Sequence, residues 1–160
     1  MNTSTSKNII SIAIIGFLII AIYLFLNKKT EAPTIVLPIT AQEVKPQYMN
    51  ASLSDIVISY PLPGATIPEG VLKVSGKARG PWYFEANAGI EIQDSNRNVL
   101  KKSYVMAIGE WMTTEFVPFQ GEIAFTIPSG VTEGFIVFKN DNPSGDAIRD
   151  KEVRIPVVFK

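Results

Sequence analysis

Glu85 and Glu110 lie in aromatic-rich blocks, Ala78-Arg-Gly-Pro-Trp-Tyr-Phe-Glu-Ala86 and Gly109-Glu-Trp-Met112, and are the best-placed carboxylates for acid/base work. A pair of carboxylates about 5–9 Å apart hydrolyses a glycosidic bond, one as acid and the other as nucleophile or base. Nothing in the spacing fixes that separation here, and no catalytic residue is assigned. The chain has neither Cys nor His. That removes thiolate nucleophiles, disulfides, zinc sites built on Cys or His, His-ligated haem and every triad or dyad with a His base. No cofactor is expected.

Recognition chemistry has more to draw on. Arg79, Tyr83, Glu85 and Phe116 form a candidate binding surface, in which a guanidinium fork and an aromatic rim would hold a carboxylate or a sugar. The plainer alternative is an Arg79–Glu85 cross-strand ion pair with Arg79 stacked on Tyr83, contributing about 1 kcal/mol or less if exposed. Trp111, Met112, Phe116 and Phe119 are either a surface hot spot or core; core is favoured for Trp111, whereas Phe116 falls on the outward parity of its strand. Asn140, Asp141, Asn142, Asp146 and Asp150 make an oxygen-rich loop. It lacks the order of an EF-hand, with its central Gly and closing Glu, and these are also ordinary turn residues beside Pro143 and Gly145. No metal site is assigned.

The elements that carry these residues follow from hydrophobic periodicity. After Asp55 the apolar positions recur every second residue, as in half-buried strands. Between Trp82 and Gln93, the residues Trp82, Phe84, Ala86, Ala88, Ile90 and Ile92 share one face, while Tyr83, Glu85, Asn87, Glu91 and Gln93 share the other. Asp94-Ser-Asn-Arg-Asn98 is turn chemistry, and 99–107 is the returning strand. Further strands are predicted at 56–60, 71–78, 117–127, 134–139 and 153–159, punctuated by Pro61-Leu-Pro-Gly64, Gly80-Pro81, Pro128-Ser-Gly130 and Asn142-Pro-Ser-Gly145. Seven such strands predict an all-β, two-layer antiparallel sandwich. On the 71–78 strand the inward face ends in Gly76 and Ala78, and a large residue from the opposite layer, Trp82 or Trp111, is expected to fill that space. Pro118 and Pro156, on outward positions, each remove a ladder donor and argue against open edge pairing.

Residues before Asp55 read differently. Residues 1–8 form a short tail. Residues 9–26, IISIAIIGFLIIAIYLFL, carry no charge. At 1.5 Å per residue they make a helix of about 27 Å, enough to cross the hydrocarbon of a bilayer. A cleaved signal peptide would have a shorter apolar core and a small-x-small site after it, whereas here Asn27-Lys28-Lys29 follows. The reading is an uncleaved transmembrane anchor. Residues 27–54 form a linker spaced by Pro33, Pro38 and Pro46, with Ile35-Val36-Leu37 as an alternative short strand. If flexible, its last 25 residues would span about 25–30 Å. The domain is placed at 55–160.

Charge narrows the partners. Residues 51–160 hold 11 Lys/Arg against 13 Asp/Glu, a net of −2. A faintly acidic domain lacks the clustered basic face that nucleic acid requires. Lys7 and the amino terminus flank the anchor on one side and Lys28 and Lys29 on the other, so the positive-inside rule is balanced.

The blocks 78–86 and 109–112, then Pro118-Phe119, Asn142-Pro-Ser-Gly145 and Ile155-Pro-Val-Val-Phe159, resemble the immunoglobulin-like domain of bacterial spore germination across residues 55–159. The resemblance implies an immunoglobulin-like sandwich and an extracytoplasmic domain on a single-pass cell-membrane protein. It also implies non-catalytic binding or adhesion, with an envelope protein or a cell-wall glycan as partner. The competing expectation is a structural subunit of a membrane-tethered assembly, self-associating through edge strands or the anchor helix.

Overall fold

The computed structural model describes residues 22–23, 25–26 and 44–160. The chain divides into two units, Met1–Ala41 and Gln42–Lys160. In the first, Ile22, Tyr23, Phe25 and Leu26 are helical. Most of the 9–26 anchor, the linker through residue 43 and the alternative strand at Ile35–Leu37 lie outside the described residues. Among the described residues, no helix is long and apolar enough to cross a membrane.

The second unit is all-β. Its strands are β1 (Gln47–Met49), β2 (Ile56–Tyr60), β3 (Ala65–Ile67), β4 (Gly70–Arg79), β5 (Asn87–Asp94), β6 (Val99–Ala107), β7 (Phe116–Phe125), β8 (Glu133–Lys139) and β9 (Glu152–Phe159). They are hydrogen-bonded in the order β1-β9-β8-β5-β6-β7-β4-β2, with β3 added to β9 beside β1. Every pairing is antiparallel except β3 with β9. The path is continuous but folds over on itself. Phe119 of β7 meets Phe138 of β8 with ring centroids 5.7 Å apart, and Phe125 of β7 meets Phe159 of β9 at 6.0 Å. Those strands are not neighbours along the sheet, so the contacts can form only between two stacked layers. One layer holds β2, β4 and β7, and the other holds β1, β3, β9, β8, β5 and β6. The bend lies at the β6–β7 pairs Met106↔Gln120 and Ala107↔Phe119.

Period-two alternation places the core where the sequence put it. Leu72, Val74 and Ala78 of β4, Ala88, Ile90 and Ile92 of β5, Ile136 and Phe138 of β8, and Val153, Ile155, Val157 and Phe159 of β9 are all buried in one cluster. Burying each large member removes roughly 1.5–3 kcal/mol of unfavourable hydration, which makes the alternation decisive.

Four expectations are corrected. The strand predicted from Trp82 begins only at Asn87. Pro81 instead sits in a 3₁₀ turn at Gly80–Trp82, and Glu85 and Ala86 take left-handed backbone, with φ of 49° and 64°. Phe84 and Asn87 exchange backbone hydrogen bonds of 3.0 and 2.9 Å across that reversal. As a result Trp82 and Tyr83 are both buried and Phe84 is exposed, which no alternating strand allows. Second, there are nine strands rather than seven. Both additions, β1 and β3, have three residues, too few to register a period, and β1 falls within the stretch read as linker.

Third, Pro118 and Pro156 do not guard edges, since β7 and β9 each have neighbours on both sides. Pro156 falls where β9 changes partner, between the pairs with β1 at Glu152–Arg154 and those with β3 at Val157–Phe159. Fourth, the space beside Gly76 is filled by neither tryptophan. A Cβ at Gly76 would stand 2.6 Å from Phe119 Cζ and 2.4 Å from the Val57 carbonyl oxygen. Gly76→Leu is therefore expected to destabilise the domain by about 1–3 kcal/mol through overpacking. A thermal melt of this variant indistinguishable from wild type would contradict the packing.

Candidate functional site

The four residues read as a binding surface are not brought together. Arg79 and Phe116 face each other in the β4–β7 ladder, and the guanidinium carbon stands 4.3 Å from the Phe116 ring centre, with Lys77 Nζ at 5.0 Å. Arg79 has other commitments as well. Its Nε donates to the Ser54 carbonyl at 3.1 Å and its Nη1 to the Thr114 carbonyl at 3.2 Å, with Glu115 at 3.5 Å. It therefore ties the turn before β2 to the loop before β7, and its ionic partner is Glu115 rather than Glu85. Tyr83 points inward, and its hydroxyl donates to the Val117 carbonyl at 2.8 Å. Burial pushes that phenol up to about 12, against a smaller opposing effect of a backbone hydrogen bond from Ala78. Glu85 stays on an exposed turn and accepts from Asn87 Nδ2 through its backbone carbonyl.

The other candidates are also absorbed into local structure. Glu110 Oε1 accepts from the Met112 backbone N–H at 2.8 Å, so this carboxylate folds onto its own loop. In the 140–150 loop, Asn142 Nδ2 donates to the Asp146 carbonyl at 2.9 Å and to Asp150 Oδ1 at 2.8 Å, and Asp146 caps a 3₁₀ turn at Ala147–Arg149. Among the described residues, no group of three or more His, Cys, Asp or Glu is placed to hold a metal ion.

Two features of the outer faces were not read from the sequence. The first is a charged network across β6, β5, β8 and β9. Glu91 and Gln93 were assigned to a polar face, yet they are only 6% and 4% exposed. Gln93 Nε2 donates to Glu91 Oε2 at 2.6 Å, and Lys102 and Lys139 approach Glu91 Oε1 at 3.2 and 3.5 Å. Arg154 bridges onward, Nε to Glu152 at 2.6 Å and Nη1 to Gln93 Oε1 at 2.8 Å. Burial alone would raise the Glu91 carboxyl, but the Gln93 hydrogen bond and the two lysines outweigh it and the net direction is down.

The second is a groove of about 660 Å³ over the bend in the sheet, a volume typical of ligand clefts at roughly 300–1,000 Å³. The bend requires Gly121. A Cβ there would lie 2.9 Å from Val105 Cγ1 and 3.0 Å from the Tyr104 carbonyl oxygen, so only glycine lets β6 close on β7. Register pairs then lay out the floor. Tyr60 pairs with Ser75, Ser75 with Gln120, and Gln120 with Met106, giving one row across four strands. The next outward row holds the Lys73–Glu122 pair, 3.5 Å between charges, with Tyr104 two residues before Met106 on β6. All seven side chains line the groove. Tyr60, Tyr104 and Met106 are 44%, 58% and 53% exposed, large apolar surfaces held in water. The sequence does carry a signal for them: outward Tyr104, Met106 and Ile108 alternate with inward Ser103, Val105 and Ala107, so the outward positions are the bulkier set.

The buried network and the exposed pair predict opposite mutational responses. Arg154→Met strips the buried Glu152 of its closest cation and is expected to cost about 3 kcal/mol. Lys73→Met, which breaks a pair exposed on both sides, is expected to stay within about 1 kcal/mol. Denaturant titration of both variants checks the contrast, and equal losses would refute it. Because the folded Glu91 carboxyl lies below its ordinary 4.5, its contribution is complete above that value and is lost as pH falls through the folded one. Glu91→Gln should therefore flatten the acid limb of a melting-temperature profile while leaving the slope above about pH 6 unchanged.

A search among curated proteins returns no match. A family match covers residues 55–147, from just before β2 to the 3₁₀ turn ahead of β9. With its strands in two mostly antiparallel layers and more than half its length matched, the chain belongs to the family of the immunoglobulin-like domain of bacterial spore germination.

Proposed function

We propose that the protein is a non-catalytic binding module, held at the cell membrane by its N-terminal segment with the immunoglobulin-like domain outside the cytoplasm. The observation that carries the binding assignment is the groove at the sheet bend. Two tyrosines and a methionine stand exposed around it, and large apolar side chains gathered in water mark interaction sites. The catalytic alternative has little to work with. Glu110 is folded onto its own backbone, Glu85 sits on an exposed turn, and the buried Glu91 and Glu152 are committed to lysine and arginine.

The membrane assignment rests on residues 9–26, whose uncharged aliphatic run has the length of a bilayer crossing. The outside placement rests on the family. Residues 30–46 supply three prolines that favour extended backbone, so the domain would stand off the lipid surface. Lateral assembly through sheet edges is the weaker reading, because the edges are short: β1 and β3 have three residues each and β2 has five.

Fractionation of cells expressing the full chain is the direct test. The protein should sediment with membranes, resist salt extraction and dissolve in detergent, and protease added to wall-stripped intact cells should digest the domain. Recovery in the soluble fraction would overturn the anchor. A protected domain would overturn the orientation.

A further inference from the structure

We propose that the groove between Tyr60 and Tyr104 binds a linear, uncharged glycan, an assignment that rests on the binding-module reading above and names its ligand class. Three properties of the groove point to sugar rather than to a peptide or an anionic polymer.

The first is charge. The only ionic side chains lining the groove are Lys73 and Glu122, and they neutralise each other at 3.5 Å. A phosphate-bearing or sulfated polymer would need an uncompensated cation, and a cationic peptide an uncompensated carboxylate. The groove offers neither. Its complement is a neutral ligand.

The second is the division of chemistry between rim and floor. The rims are aromatic, Tyr60 on β2 and Tyr104 on β6, and Met106 lies at the β6 end of the Tyr60 row. Between them the floor is polar: the Ser75 hydroxyl and the Gln120 amide stand in the same row. A protein hot spot places an apolar anchor in a dry apolar pocket, and a serine–glutamine floor would leave such an anchor against unsatisfied polar groups. A pyranose ring presents C–H faces and hydroxyl edges together. Its faces suit the tyrosine rings, which are apolar in body and polar at the tip, and its edges suit an amide that both donates and accepts.

The third is length. Tyr60 and Met106 are separated by three inter-strand steps, about 14 Å at ordinary strand spacing. The row crosses four strands and turns at its last step, from β7 to β6. That span accommodates a short run of linked sugars lying across the strands, and the groove volume of about 660 Å³ leaves room for several rings. Gly121 allows β6 to approach β7 closely beneath the groove.

The full chain, purified in detergent, is titrated calorimetrically with two neutral probes, the N-acetylglucosamine hexamer and cellohexaose, and with polygalacturonate as the anionic comparison. The expected result is saturable binding of at least one neutral hexamer that is unchanged by added salt, with no binding of the polyanion. Tyr60→Ala and Tyr104→Ala should each weaken it roughly tenfold, while Tyr104→Phe, which keeps the ring, stays within about threefold. Both tyrosines are exposed, so matching thermal melts would show that the variants remain folded. Three outcomes overturn the proposal: neither neutral hexamer binds, binding is confined to the polyanion and collapses with salt, or both alanine variants bind like wild type. A photo-crosslinker at position 104 in intact membranes separates the two levels of the argument. A single heterologous protein adduct, without glycan binding, overturns the glycan assignment and leaves the binding-module reading standing, whereas the absence of both overturns the two together.

Discussion

The architecture depends on how closely β6 can approach β7. Beyond the pairs Met106↔Gln120 and Ala107↔Phe119 the sheet must turn back over itself, and a side chain at Gly121 would collide with Val105 and with the Tyr104 backbone. The missing Cβ lets β6 approach β7 closely where the two layers meet. Phe119, beside the bend, then reaches Phe138 on one side and the space over Gly76 on the other. Close packing tolerates little slack, so the aromatic contacts inside and the groove outside are two sides of one backbone constraint.

The outer faces divide the remaining work. On the larger layer, Glu91, Gln93, Glu152 and Arg154 form a hydrogen-bonded set whose members are buried or nearly so. Buried charges are tolerable only when paired and hydrogen-bonded, and here each carboxylate has both. Across the bend, polar and apolar side chains are exposed together with little mutual engagement beyond the Lys73–Glu122 pair. One face is internally satisfied. The other is left able to engage something else.

Much of the fold was legible because period-two alternation is a strong signal over eight to ten residues. β4, β7 and β9 lie within about two residues of their predicted limits, and their inward residues are the core. Alternation failed at Trp82–Ala86, where the match to a period-two pattern was coincidental. Pro81 and the left-handed Glu85 and Ala86 made a turn of residues that matched a strand pattern. β1 and β3 were invisible for the opposite reason, being held by β9 rather than by any pattern of their own. The site was less legible than the fold. The sequence pairs Arg79 with Glu85 and Tyr83, whereas its neighbour is Phe116. Which of its donors remain free depends on Ser54 and Thr114, 25 and 35 residues away in sequence. The groove assembles residues from β2, β4, β6 and β7, and only the bulky outward positions of β6 announced it.

The short β1 strand has a mechanical meaning. Any tension transmitted along the chain from before Gln47 enters the domain through three residues paired with Glu152, Val153 and Arg154. Ladder hydrogen bonds lie perpendicular to the strands, so a pull along β1 loads all of them at once rather than opening them singly. With only three residues in the clasp, β1 has far fewer ladder bonds to resist such a pull than the ten-pair β4–β7 ladder has. The N-terminal clasp is therefore, with β3, the slightest member of the sheet, while β9, which holds it, is itself locked to β8 by seven pairs.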